Sequence, residues 1–128
     1  NIDNNRANGV DIDTWLSTPG YVDYIVPQLY WSDNFSKSGT VTMYSTRLAA
    51  WKSLNKIGIP MYAGLALYKT GSLISTDPGW AMKQTNLLEQ ANKAYASGYS
   101  GYFLFRYNSL SSSNPATVLE LQNLKSAQ

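Results

Sequence analysis

Three short apolar runs, rich in β-branched and aromatic residues and bounded by Gly or Pro, constrain this chain more than any other feature. They are Tyr21–Trp31 (YVDYIVPQLYW), Ile59–Tyr68 (IPMYAGLALY) and Gly101–Tyr107 (GYFLFRY). Each has the length and punctuation of a buried strand. Between the first two, Val41–Lys56 carries Tyr44, Leu48 and Trp51 at spacings of four and three and stops at Gly58, which predicts an amphipathic helix. Between the second and third, Trp80–Ser97 is an Ala- and Gln-rich helical stretch entered through Asp77-Pro78-Gly79 and ended by Gly98. Asn114 and Pro115 suit the N-cap and first turn of a last helix that ends near Ala127, and a shorter helix carrying Trp15 is expected around Val10–Ser17.

The pattern reads α-βα-βα-βα, with strands near 22–31, 59–68 and 101–107. Starts at Val22, Ile59 and Gly101 lie roughly forty residues apart, enough for right-handed crossovers between parallel strands. A doubly wound sheet and a section of a (β/α)8 barrel both fit, but a closed barrel usually needs about 250 residues and this chain has 128. A barrel reading is therefore a partial one, of about three strand–helix units in a single segment, 1–128. A start at Asn1, in mid-phrase, suggests an excised piece.

Hydrophobic residues make up 44% of the chain and charged residues 14%, which argues for a packed core under a surface of Ser, Asn, Thr and Tyr. The net charge is +2, with basic residues scattered from Arg6 to Lys125, which argues against nucleic acid and acidic membranes as partners. Cys and His are both absent. Disulfides, thiolate metal sites, the usual zinc ligands and the usual base of a Ser or Cys triad are thereby excluded, and no cofactor or metal is expected. No apolar stretch is long enough to span a bilayer.

In parallel α/β folds ligands bind at the carboxyl ends of the strands. Three segments fall there: Gln28–Asp33, Ala66–Lys69 and Phe105–Asn108, each joining an aromatic ring to a polar or charged group. Rings stack on the C–H faces of sugars while amides and hydroxyls read their hydroxyl groups, so the expected partner is a carbohydrate. Tyr30, Trp31 and Tyr68 are equally open to a core-packing role. Gln28 interrupts an apolar run, and a buried amide costs about 1–3 kcal/mol unless its hydrogen bonds are met, which favours a ligand-facing role. Lys69 and Arg106 read as ligand contacts or as solvated loop charges. Glycosidic cleavage usually needs two carboxyl groups at a defined separation, and the eight acids supply no pair. Glu89 and Glu120 fall inside helices, Asp77 is placed to cap the second long helix, and Asp33 alone follows a strand end as a catalytic candidate.

On these residues the chain resembles bacterial glycoside-hydrolase-like proteins of the "glycosyl hydrolase-like ten" group. The phrases are Tyr21-Val22-Asp23-Tyr24-Ile25-Val26-Pro27-Gln28-Leu29-Tyr30-Trp31, then Ile59-Pro60-Met61-Tyr62-Ala63-Gly64-Leu65-Ala66-Leu67-Tyr68-Lys69, and a looser Gly101-Tyr102-Phe103-Leu104-Phe105 with Leu110. The resemblance implies the sixth to eighth strands of a barrel, a cell-envelope or extracellular location, and hydrolysis of O-glycosidic bonds in a cell-wall or related polysaccharide by the whole protein. It implies that Gln28, Tyr30, Trp31, Tyr68, Lys69 and, in the next loop, Trp80 line a sugar cleft. The family's paired-aspartate phrase has no counterpart here, and Arg106 stands where the family often has a small residue. Two alternatives stand beside this reading: a noncatalytic carbohydrate-binding or scaffold protein, and a three-stranded interaction domain whose exposed sheet edges would drive self-association.

Overall fold

A computed structural model describes residues 1–126 of the chain. Six α-helices form among them: α1 (Ile2–Ala7), α2 (Ile12–Ser17), α3 (Met43–Leu54), α4 (Gly79–Met82), α5 (Asn86–Ala96) and α6 (Pro115–Ser126). Two strands, β1 (Tyr62–Ala66) and β2 (Gly101–Phe105), pair in parallel with Tyr62 opposite Gly101 and Ala66 opposite Phe105. The fold is mixed α/β.

This corrects the expected three strand–helix units of a barrel section: the sheet has two strands, and the first apolar run is not a third. That run makes two isolated parallel bridges, Ile25 to Met61 just before β1 and Gln28 to Gly64 within it. Ile25 and Leu29 donate to the carbonyls of Pro60 (3.1 Å) and Gly64 (2.9 Å), while the amides of Tyr62 and Gly64 donate to Ile25 and Pro27 (3.0 Å each). Pro27 has no N–H to give, so the ladder is broken midway. Close approach at the second bridge depends on Gly64, since a Cβ there would lie 2.8 Å from the Pro27 carbonyl oxygen.

Register separates the two faces of the sheet. Ala63, Leu65, Tyr102 and Leu104 point to one side, and Tyr62, Gly64, Ala66, Gly101, Phe103 and Phe105 to the other. The first side is the helix-covered one and continues into the core, where Leu16, Leu29, Leu65, Leu67 and Leu87 are fully buried. Each such leucine contributes about 1.5–3 kcal/mol of hydrophobic stabilisation. Tyr44, Leu48 and Trp51 of α3 face this core, as their spacing predicts.

The helix expected over Trp80–Ser97 is two helices. Lys83 is extended between them, and α5 starts afresh where the fully buried Glu120 carboxylate of α6 receives the amide N–H groups of Asn86 (3.1 Å) and Leu87 (2.9 Å) and the Asn86 side chain (3.0 Å). A capping carboxylate from another helix satisfies the orphan donors of the first turn. At the head of α6 the Asn114 side chain accepts from Ala116 N–H at 2.9 Å; the predicted end at Ala127 lies outside the described residues. Asp77 does not cap a helix. It is buried and receives the Ser32 amide (3.1 Å), the Ser32 hydroxyl (2.5 Å) and the Trp80 indole N–H (2.8 Å), tying the end of the first run to the head of α4.

Gly79 makes that tie possible, because a Cβ there would lie 2.1 Å from the Ser32 hydroxyl. Gly79→Ala is expected to lower unfolding stability by about 1–3 kcal/mol through overpacking. Chemical denaturation of the two proteins checks this, and an unchanged midpoint would refute the tight fit.

Candidate functional site: aromatic rings on the open sheet face

Strand alternation puts Phe103 and Phe105 on the face of the sheet away from the helices, where they remain 50% and 46% exposed. Tyr30, at the end of the first run, stacks on Phe105 with ring centres 5.6 Å apart and planes 26° from parallel. Tyr68, just past β1 in a 3₁₀ turn (Leu67–Lys69), meets both edge-on, 5.9 Å from each. Nearer the strand starts, Tyr62 packs edge-on against Tyr24 (5.8 Å) and Phe103 (5.4 Å). Offset and edge-to-face pairs hold such rings in fixed mutual orientation while leaving their outer surfaces free.

Lys69 locks this cluster from behind. Its ammonium donates to the Tyr30 carbonyl at 2.6 Å and lies 5.9 Å from the Tyr68 ring centre. Burial pushes its pKa below the ordinary lysine value, against the opposing pull of Asp77. The Tyr30 phenol is pushed up, first by burial and then by Tyr68, so it stays a neutral hydrogen-bond donor at physiological pH.

Of the residues singled out from sequence, Tyr30, Tyr68 and Lys69 come together here. Gln28 lies on the same face, opposite Gly64, and is exposed, so its amide meets solvent and not a buried partner. Arg106 is exposed just beyond β2, with no ion pair among the described residues.

Three expected site residues lie elsewhere. Trp80 is fully buried with its indole N–H on Asp77, which corrects its expected place at a cleft rim. Trp31 packs toward the helices, its carbonyl receiving the Gln90 amide at 3.0 Å and its ring 5.8 Å from the Arg47 guanidinium carbon. Asp33 is occupied on the helix side: it receives the Ser45 amide (2.8 Å), the Ser45 hydroxyl (2.5 Å) and the Lys93 ammonium (2.6 Å). Burial acts most strongly on this carboxyl and raises its pKa. Lys93 and Ser45 together outweigh burial and hold it below the ordinary value. A carboxyl so placed is ionised at neutral pH and does not serve as a proton donor.

The sign of this linkage follows. A carboxyl depressed in the folded state contributes stability above its unfolded value of about 3.8, and loses it as pH falls through the folded value. Asp33→Asn is therefore expected to flatten the acid limb of the stability profile below about pH 4, read by urea midpoints across pH. An acid limb identical in the two proteins would contradict the assignment.

Phe105 opened the third strand-end segment of the sequence reading without being named as a site residue, and Phe103 was not placed at a strand end at all. Their signal was the alternation in Gly101–Phe105, which places every second residue on one face. Among the described residues no group of three or more acids forms a metal-binding cluster, and no helix is long and apolar enough to cross a membrane. No protein-family model matches the chain, and neither a curated protein nor a solved structure is significantly similar to it.

Proposed function

We propose that this chain binds carbohydrate, holding sugar rings against the Tyr30–Tyr68–Phe105 cluster. The observation that carries the reading is three aromatic rings fixed against one another on an open sheet face, two of them about half exposed. Exposed rings held rigid by their neighbours offer a stacking surface at little entropic cost, and phenol hydroxyls beside them can address sugar hydroxyls. The resemblance to cell-envelope glycoside-hydrolase-like proteins suggests a bacterial wall glycan or related polysaccharide as ligand. In a hydrolase of that kind, cleaving O-glycosidic bonds, this chain would hold substrate while the reacting carboxyls came from elsewhere. A noncatalytic binder is the second reading, favoured by the full engagement of Asp33.

The test is titration calorimetry with a β-linked N-acetylglucosamine tetrasaccharide. Binding is expected to weaken about tenfold or more in Tyr68→Ala and in Phe105→Ala, from loss of apolar contact area, and to be unchanged in Asp33→Asn. Equal affinity in all four proteins, or none at millimolar sugar in the parent chain, would sink the proposal.

A further inference from the structure

The outer edge of the Tyr21–Trp31 run carries a pattern that sugar binding does not use. Ile25 and Leu29 donate toward β1, and Ile25 and Pro27 accept from it. The intervening peptide groups face the opposite way, as alternation along an extended chain requires. Among the described residues the N–H groups of Val26 and Gln28 and the C=O groups of Tyr24, Val26 and Gln28 have no partner. Pro27, which breaks the ladder on the inner side, removes no donor from the outer one. Asp23 is the sole charged residue in the run, so the lysines and inward charges that normally blunt a free edge are missing.

A cavity of about 300 Å³ adjoins this edge, lined by the apolar Ile12 and Trp15 of α2, Ile25 and Val26 of the run and Trp51 of α3, together with the polar Asn1, Asn5 and Gln28. Its position follows from the chain path. α3 connects the run to β1 and α5 connects β1 to β2, and right-handed crossovers place both helices over the same face. α2 precedes the run and packs beside α3, and its Ile12 and Trp15 line the cavity together with Val26 and Gln28 of the outer edge. It therefore overhangs the edge, in the place that would cover a pair made by the run and one more strand outside it.

We infer that this edge is a docking site for an extended polypeptide strand running parallel to Tyr21–Trp31, paired to Val26 and Gln28 and placing an apolar side chain in the cavity beneath α2. Unpaired donors and acceptors at strand spacing specify a peptide backbone, as in strand addition to a sheet edge. Ile12, Trp15, Ile25 and Trp51 give the cavity an apolar surface for a small side chain such as valine, beside the polar Asn1, Asn5 and Gln28, and parallel is the direction of the sheet's other pairings.

The experiment uses the isotope-labelled chain and, as probe, a capped seven-residue peptide alternating threonine and valine at millimolar concentration. Amide exchange at Val26 and Gln28 is expected to be fast in the free chain and slowed at least tenfold by the peptide, with Ile25 and Leu29 unchanged. N-methylation of one alternate set of peptide residues should abolish the protection, and methylation of the other set should leave it. Valine-to-glycine replacement at the residue facing the cavity should weaken binding about tenfold. A spin label on the peptide's amino end should broaden signals near Tyr21 and not near Trp31. Protection absent at saturating peptide, or insensitive to both methylations, would overturn the inference. So would slow exchange in the free chain that depends on protein concentration, since a second copy would then hold the edge.

Discussion

Glu120→Ala is expected to lower unfolding stability by about 3–5 kcal/mol, enough to threaten folding of a chain this size. The carboxylate is fully buried and satisfies three donors at the start of α5: two backbone N–H groups and the Asn86 amide. Its loss strands the two backbone N–H groups at about 1–3 kcal/mol each, less what water entering the vacated space recovers, while the Asn86 amide keeps the Gly79 and Lys83 carbonyls as acceptors. Glu120→Gln keeps the volume and one acceptor and should cost about half as much. The pH dependence is a second signature. Burial, the largest influence, pushes this carboxyl above its ordinary 4.5, against the pull of the Leu87 and Asn86 donors. A carboxyl raised in the folded state contributes stability fully present below about 4.5 and lost as pH rises through the folded value. That decline should vanish in Glu120→Gln. Urea titrations of both proteins from pH 4 to 8 read it, and parallel profiles would mean that the carboxyl titrates alike folded and unfolded.

Trp80→Ala should be as costly, at about 3–5 kcal/mol. The indole is wholly enclosed, and its N–H is one of three donors that satisfy the buried Asp77 carboxylate. Truncation opens a cavity and leaves that carboxylate one partner short. Trp80→Phe separates the two effects: it fills most of the space without the N–H and should cost about 1–3 kcal/mol. Thermal or urea denaturation distinguishes these values, and a Trp80→Phe variant as unstable as Trp80→Ala would assign the whole effect to the hydrogen bond.

Helices were the legible part of this chain. α2, α3 and α6 fall where periodicity, Gly58 and Asn114-Pro115 put them, because their signals lie within a few residues. α1 was invisible, since Ile2 is its sole buried residue and no apolar period marks it. The break before α5 was hidden too, because the carboxylate that starts the new helix comes from Glu120, more than thirty residues on. Both regular strands lie inside expected runs, whereas the first run looked as strand-like as the others and Pro27 interrupted it.

The candidate site divides in the same way. Tyr30, Tyr68 and Lys69 were found from their places at run ends, and Phe105 follows from alternation along β2. Residue type could not say that Trp80 would be enclosed or that Asp33 would be claimed by Ser45 and Lys93. Both outcomes depend on a partner distant along the chain: Ser32 to Asp77, Asp33 to Lys93.

Local pattern decided which stretches are helical or extended and which residues alternate, because turns, caps and periodicity act over a few residues. The side of the sheet each ring occupies, and whether a carboxylate is free, were decided only when α3, α5 and α6 closed over one face. Long-range packing spends polar groups on partners that no neighbouring residue announces, and it left the aromatic rings of the other face uncovered.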